Sequence, residues 1–382
     1  MKLTFPHMGN ACIIVGDLLD RLGIEYVVPP PSTNRTLELG VRYAPEMACY
    51  PFKVTLGNFI EGIEAGADAG IMVGGVGPCR FGYYAETQRR ILHQIGYKIP
   101  MYILEPPTAH PIKFYRTFKQ LAPKRTLRDL WRALKVSWKK AVYIERIEAE
   151  SLKIRCYEKN RGDTTRARNR AVKLLEKAFL EKEIETAFKE GLELLRNVPL
   201  EERVAPKIGI VGEFFILLEP FVNFDIEIAL GEMGFYIERA IYLTDWLNPG
   251  AKTPVAGHSK DEVLKAARPY LSHFVGGDGR QTIGHTIIYI KEGFEGIVHL
   301  LPFTCMPELI AKSILPKIAS DFNIPIIHFV IDEQTGRAGI QTRLEAFAEL
   351  VRSRHLKGFY PKKEKINWIE TEKAIPVGVT YR

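Results

Sequence analysis

The sequence predicts an α/β protein: two Rossmann-like domains, each built on a parallel sheet, joined by a mostly helical connector. Three observations carry this. Short apolar runs of strand length alternate with helical periodicities up to Leu104, and again from Lys207 onward. Strands apolar on both faces belong to parallel sheets covered on both sides. Between Ala109 and Val204 the strand signals vanish, and charged residues mix with Leu, Ala and Trp at helical spacing. A chain of 382 residues also exceeds what a single core ordinarily organises. The expected units are 1–108, 109–205 and 206–356, followed by a basic tail at 357–382.

The elements follow in order. Lys2–Phe5 is a short strand, Ala11–Leu22 a helix closed by Gly23, and Ile24–Val28 a strand stopped by Pro29-Pro30-Pro31. Phe52, Leu56, Phe59, Ile60 and Ile63 recur at amphipathic helical spacing. Ala69–Val76 is a strand, Tyr83–Ile95 a helix and Pro100–Leu104 a strand. In the middle of the chain, Arg161–Arg170 is polar and expected as a turn or exposed helix end. Ile208–Val211 resumes the strands, and Asn223 is a candidate N-cap for a helix over Asp225–Met233 that Gly234 ends. Phe235–Tyr242, Gly296–Leu301 and Ile324–Ile331 are strands, while Lys260–Leu271, Pro307–Ile318 and Gln341–Arg354 are helices. The glycine-rich stretch Gly276–Arg280 is expected as a loop.

Apolar residues make up 46% of the chain and charged residues 26%, an ordinary globular composition. The formal charge of +8 is local: Leu121–Lys177 holds 17 basic and seven acidic residues, leaving the remainder slightly acidic. No run approaches the ~18 apolar residues of a membrane span, and the first residues lack a signal peptide's apolar core. Five cysteines, odd in number and far apart, exclude a disulfide scaffold. A reducing, cytoplasmic setting with free or metal-bound thiols is expected.

Three of those cysteines share a setting. Cys79 follows a strand through Gly77-Pro78, Cys305 follows another with Pro307 in the first turn of the next helix, and Cys49 precedes a helix with Pro51 near its start. All three sit where open α/β sheets place ligands, near helix N-termini that favour thiolate. Three thiolates with an open fourth position suit an iron–sulfur cluster with an exchangeable iron, or a catalytic metal. Three ordinary buried cysteines are the alternative. Cys12 inside the first helix reads as core packing, and Cys156 as structural. No His-x-x-x-His or His-Glu-x-x-His grouping favours a mononuclear zinc hydrolase, and His7 and His299 lie near strand ends.

Several strings resemble the 2-hydroxyacyl-CoA dehydratase family, in particular relatives that accompany CoA-substrate-specific activases. They are Phe5-Pro6-His7-Met8-Gly9, Pro29-Pro30, Ala48-Cys49-Tyr50-Pro51-Phe52-Lys53 with Gly57-Asn58-Phe59, and Gly74-Gly75-Val76-Gly77-Pro78-Cys79-Arg80-Phe81-Gly82. In the second half they are Gly209-Ile210-Val211-Gly212-Glu213, Pro220 with Asn223, Phe303-Thr304-Cys305-Met306-Pro307-Glu308, and Thr342-Arg343-Leu344-Glu345-Ala346-Phe347. The resemblance covers both α/β halves and not the stretch between Ala109 and Val204. It implies a cluster held by Cys49, Cys79 and Cys305 in the crevice between the halves. That cluster is either four-iron four-sulfur or part of a double-cubane cluster shared with another chain. It also implies a partner, an ATP-dependent iron–sulfur activator, since this chain carries no phosphate-binding Gly-x-x-x-x-Gly-Lys-Ser/Thr loop. A homologous second subunit or a homodimer, and an acyl-CoA or small-molecule substrate, complete the implied set. Dehydratase or ATP-coupled reductase chemistry is the enzyme reading; an iron–sulfur scaffold or electron-transfer subunit is its alternative.

Around the thiols, Gly74, Gly75 and Gly77 let backbone amides approach sulfur or simply make a tight turn. Arg80 is a candidate for neutralising cluster charge or holding a phosphate. Glu213 just past a strand is a candidate proton donor in the crevice, and Glu308 reads as a helix-dipole carboxylate. Thr342–Glu345 reads as a capped helix start with an ion pair. Lys135, Lys139, Lys140, Arg146, Lys153, Arg155, Arg161, Arg166, Arg168 and Arg170 make a helical basic face, either solvated or a dock for an acidic partner or coenzyme A phosphates. A basic binding protein with only structural cysteines is the third class. Nucleic acid is disfavoured, because no recognition module accompanies the charge.

Overall fold

The computed structural model describes residues 1–75, 77–105, 109–247 and 255–358. The chain begins β1 (Leu3–Thr4), α1 (Ala11–Leu22), α2 (Asn34–Tyr43), α3 (Tyr50–Glu64), β2 (Ala69–Val73), α4 (Tyr84–Gln94) and β3 (Met101–Leu104). Four helices follow: α5 (Pro111–Leu121), α6 (Leu127–Arg155), α7 (Asp163–Lys177) and α8 (Glu181–Arg196). Then come β4 (Lys207–Gly212), α9 (Phe214–Leu218), α10 (Pro220–Asn223), α11 (Ile226–Glu232), β5 (Tyr236–Arg239), α12 (Leu243–Leu247) and α13 (Lys260–Ala267). The last are α14 (Gly279–Lys291), β6 (Gly296–Pro302), α15 (Met306–Phe322), β7 (Ile326–Ile331) and α16 (Arg337–Leu356). Two parallel sheets result, one ordered β1-β2-β3 and the other β5-β4-β6-β7. Every residue of β6 is buried, as expected of a strand covered on both faces. No helix among the described residues is long and apolar enough to cross a membrane.

Because both sheets are parallel, each has all its strand carboxyl ends on one side. Contacts bring these two sides together. The Lys53 ammonium of α3 pairs with Glu333 just past β7, and His7 just past β1 bonds Glu219 of the second half at 2.9 Å. Arg80 past β2 reaches the backbone of Thr304 past β6.

Helix α3 occupies this junction. Its apolar periodicity predicted one buried face, yet 13 of its 15 residues are buried. The polar residues are internalised with partners: Glu61 receives Thr36 Oγ1 at 2.6 Å, Asn58 accepts the His7 N–H at 3.2 Å, and Thr55 receives Gln88 Nε2 at 2.8 Å. Its approach to α2 is closer than ordinary side chains permit. A Cβ on Gly57 would stand 1.9 Å from the Thr36 carbonyl oxygen, and one on Gly40 would stand 1.7 Å from that of Lys53.

Several expectations need correction. Ile24–Val28 forms no strand of the sheet and contributes one bridge, Tyr26 to Leu3, where the prolines end pairing. The strand expected over Ala69–Val76 ends at Val73, and Val76 lies outside the described residues. Asn223 closes α10 and donates to the carbonyls of Ile216 and Leu217, while Asp225 precedes α11. Arg161–Arg170, by contrast, is the expected exposed helix end: a turn leads into α7 at Asp163, and Arg161, Arg166 and Arg170 are exposed. The glycine-rich stretch Gly276–Arg280 runs into α14, a largely buried helix. Thr342–Glu345 lies inside α16, where Arg343 donates to the His328 carbonyl and Glu345 to Gln341 bonding replaces the expected ion pair. The tail from Gly358 onward falls almost wholly outside the described residues.

Two residues of the basic face turn inward. Lys140 is 2% exposed and bonds Asp17 at 2.7 Å, and Arg155, 1% exposed, bonds Thr165. Lys139 pairs with Glu181 and Glu185, Arg168 with Glu148, Arg161 with Glu232, Arg166 with Asp163, and Lys153 stands near Glu150 and Glu238. Lys135, Arg161, Arg166 and Arg170 stay exposed. Lys140 and Arg155 alone of the ten are buried, and several of the others pair with neighbouring carboxylates at the surface.

Replacing Gly57 by Ala tests the α2–α3 contact. Helix propensity alone would stabilise the variant by ~1 kcal/mol. Overpacking against the Thr36 carbonyl outweighs that, and urea unfolding is expected to show a loss of about 1–3 kcal/mol.

Candidate functional site

Cys49, Cys79 and Cys305 are each the residue immediately before a helical segment: α3, the 3-10 turn Arg80–Tyr83, and α15. That position follows from the local sequence. Pro51 and Pro307 fit first-turn positions that need no N–H donor. None of the three sulfurs makes a capping hydrogen bond, and all are free thiols. Cys49 is buried, and Cys79 and Cys305 are half-buried. They share one electrostatic neighbourhood, since a charge on Cys49 is felt at both Cys79 and Cys305.

Burial pushes all three thiols above the ordinary range. First-turn N–H groups of Phe52, Phe81 and Glu308 favour the respective thiolates without prevailing. Tyr84, buried in α4, bonds the Cys49 sulfur with its hydroxyl.

Three carboxyls surround the thiols. Glu213 stands where β4 passes into α9, half-buried, its carboxylate accepting the Ile216 N–H at 3.0 Å. Burial pushes it up to about 8, with Asp278 and Glu308 adding to the rise. Asp278, just before α14, is raised by burial and by Glu308 to about 7. Glu308 is fully buried and raised by burial to about 8. The expected helix-dipole role for Glu308 is corrected: its carboxyl is turned from solvent, held by Thr282 Oγ1 at 3.0 Å and by His299 Nε2 at 2.8 Å. His299 lies inside β6, wholly buried, and its other ring nitrogen meets His328 at 3.0 Å.

Arg80 links the two halves. It donates to the carbonyls of Met47 and Thr304, and to Thr304 Oγ1 at 3.1 Å, while remaining exposed. Thr304 is a β-branched residue at φ +66°, a costly conformation directly ahead of Cys305. Gly77 has φ +119° and serves the turn that presents Cys79. Gly74 would press a Cβ to 2.7 Å from Glu105, and Gly75 packs on the backbone of Gly82. The turn's own packing therefore accounts for these glycines.

Tyr84, Asp278 and Trp246 were not singled out from the sequence. Trp246 stacks on Phe214 at 4.6 Å and meets Phe81 edge-on at 6.3 Å, an aromatic contact between the two halves. A tyrosine in an ordinary amphipathic helix carries no sequence signal of such a role. Asp278 lay in a stretch read as loop, and recognising the helix after it would have exposed the carboxyl.

The donor set fits an electropositive occupant. Three thiols and three carboxyls meet there, with Arg80 acting on Cys49 and Lys260 on Asp278. Among the described residues no three His, Cys, Asp or Glu side chains are arranged to hold a metal ion. No protein-family model and no curated protein matches the chain.

The raised carboxyls make stability fall with pH. Each keeps its proton in the folded state at pH values where the unfolded chain has released it. Their contribution is complete below the ordinary values of 4.5 for Glu and 3.8 for Asp, and is lost as pH rises through about 7 to 8. The metal-free protein should lose stability on the order of a few kcal/mol between roughly pH 5 and 8. Urea midpoints measured across that range check this, and Glu213→Gln should flatten the slope.

Proposed function

We propose that the protein is an iron–sulfur redox protein of the 2-hydroxyacyl-CoA dehydratase-like class, with its cluster in the crevice between two Rossmann-like units that the four intervening helices join. The observation that carries the reading is the meeting of Cys49, Cys79 and Cys305. They come from three chain segments, each stands at a helical start, and each lacks a capping bond. Such thiols are aimed by their helices and remain available to iron.

Cys49, Cys79 and Cys305 would hold the group, which supplies low-potential electrons. The chain's own residues shape what surrounds it. Phe81, Phe214 and Trp246 exclude water from one side, and the Tyr84 hydroxyl orients the Cys49 sulfur. Glu213 and Asp278 hold protons near neutral pH, because burial raises both, and are positioned to give one to a substrate reduced beside them. Arg80 bonds Met47 and Thr304 and stays exposed, so its remaining N–H donors face solvent. The substrate is a small molecule or the acyl end of a larger one. Electrons come from an ATP-dependent iron–sulfur activator.

Anaerobic expression followed by iron and acid-labile sulfide analysis tests this. Wild type should contain both, Cys49→Ala, Cys79→Ala and Cys305→Ala should each lose most of them, and Cys156→Ala should keep them. Iron-free wild type, or a Cys49→Ala variant loaded like wild type, would overturn the reading. With a loaded protein, ATP-dependent turnover of a small substrate separates an enzyme from an electron-transfer subunit.

A further inference from the structure

Residues 111–135 run through α5 into the first turns of α6 and hold eight Lys or Arg against a single Asp, a net charge of +7. That one carboxylate is spent on the helix start: Asp129 accepts the Thr126 N–H at 2.8 Å and the Thr126 hydroxyl at 2.7 Å. Two of the cations bond backbone carbonyls, Lys119 that of Pro123 and Arg125 that of Leu22. Among the described residues none of the eight has a carboxylate within ion-pair reach. This charge is uncompensated, unlike that of Lys139 or Arg168.

The start of α6 sorts its side chains into three faces. Leu130, Ala133 and Ser137 are buried against the body of the protein. Leu127, Trp131 and Leu134 stand at i, i+4 and i+7 on another face and are exposed, Leu127 at 55% and Trp131 at 50%. Arg128, Arg132 and Lys135 repeat that spacing one residue later and are exposed too. An apolar stripe and a cationic stripe therefore run side by side in solvent. This surface lies away from the three thiols. α1 carries the chain from the carboxyl end of β1 back to Tyr26, which bridges Leu3 at the strand's start. Arg125 Nε bonds the carbonyl of Leu22, the last residue of α1, at 2.9 Å. α6 thus begins at the amino edge of the first sheet, opposite the edge that carries the crevice.

We propose that the start of α6 is a docking surface for an anionic lipid membrane, on which the protein rests with its crevice turned toward the aqueous side. Trp131 and its two leucines enter the boundary between headgroups and acyl chains, while Arg128, Arg132 and Lys135 stay at the level of the lipid phosphates. Charge selects this occupant. A bilayer surface of one sign matches a patch of one sign, and half of the eight cations are lysines, which specific protein interfaces disfavour. A second copy of the chain would set like charge against like charge across a two-fold contact. Nucleic acid would use the cations but leave Leu127 and Leu134 without a role. The docking is independent of what the crevice holds.

The full-length protein is sedimented with vesicles of phosphatidylcholine alone and with vesicles containing about 30% phosphatidylglycerol. Binding is expected to the anionic vesicles only, and should weaken as salt rises from about 0.1 M to about 0.5 M. Arg128→Gln and Arg132→Gln should each weaken it about fivefold, and Trp131→Ser about tenfold. All three should melt near the wild-type temperature, because the side chains they replace are exposed. Lys317→Gln, an exposed cation of α15, should leave binding unchanged. No binding to the anionic vesicles, binding that the three α6 variants leave intact, or an equal loss in Lys317→Gln would overturn the proposal. Polyglutamate and duplex DNA are titrated in parallel. Wild type that ignores the vesicles but binds either polymer, with loss in Arg128→Gln, would overturn it in favour of an acidic protein or a nucleic acid.

Discussion

A helix with almost no solvent-exposed side holds the two sheets together. Tyr50 and Val54 of α3 belong to the core around β4, β6 and β7, while Phe52, Leu56, Phe59 and Ile60 belong to the core of the first sheet's side. The price is that Lys53, Asn58 and Glu61 must be buried, and each is met by a partner from a different segment. An unpartnered group at any of them would cost about 1–3 kcal/mol or more. The orientation of α3 is therefore heavily determined, and with it the direction of Cys49 at its start.

Parallel strand topology supplies the rest. Each strand's carboxyl end leads toward a helix start, and the two sheets turn these ends toward each other. Glu213, Cys305 and Cys79 are brought into one electrostatic neighbourhood by that rule although as many as 226 positions separate them. Helix starts favour anionic groups, yet burial opposes charge on the same thiols and carboxyls. The balance leaves protons on groups that are ordinarily ionised at neutral pH, as at Glu213 and Glu308. This is the condition in which a carboxyl serves as acid.

The strands that run through the cores were legible because they are apolar on both faces, as Gly296–Leu301 shows. The helix starts at Cys49 and Cys305 were legible from their prolines. What escaped the sequence has physical causes. α14 is glycine-led and buried nearly all round, so it shows no clean polar face. Glu308 does stand in the first turn of α15, but its burial escaped notice because its partners, Thr282 and His299, come from α14 and β6. The basic face is a surface at Lys135, Arg161, Arg166 and Arg170, but Lys140 and Arg155 are among the most buried side chains of α6, which charge counting did not show. Pairing across elements is not encoded in local spacing, so neither the link at Arg80 nor the contact between His7 and Glu219 was foreseeable.

The central claim is that three thiols brought together by topology bind one cluster. An anaerobic crystal structure with data collected at the iron absorption edge tests it most directly. The account predicts one anomalous iron feature in the crevice, in contact with the sulfurs of Cys49, Cys79 and Cys305. A feature contacting other residues, or iron-free crevice density with Cys49 still bonded to Tyr84, would contradict it.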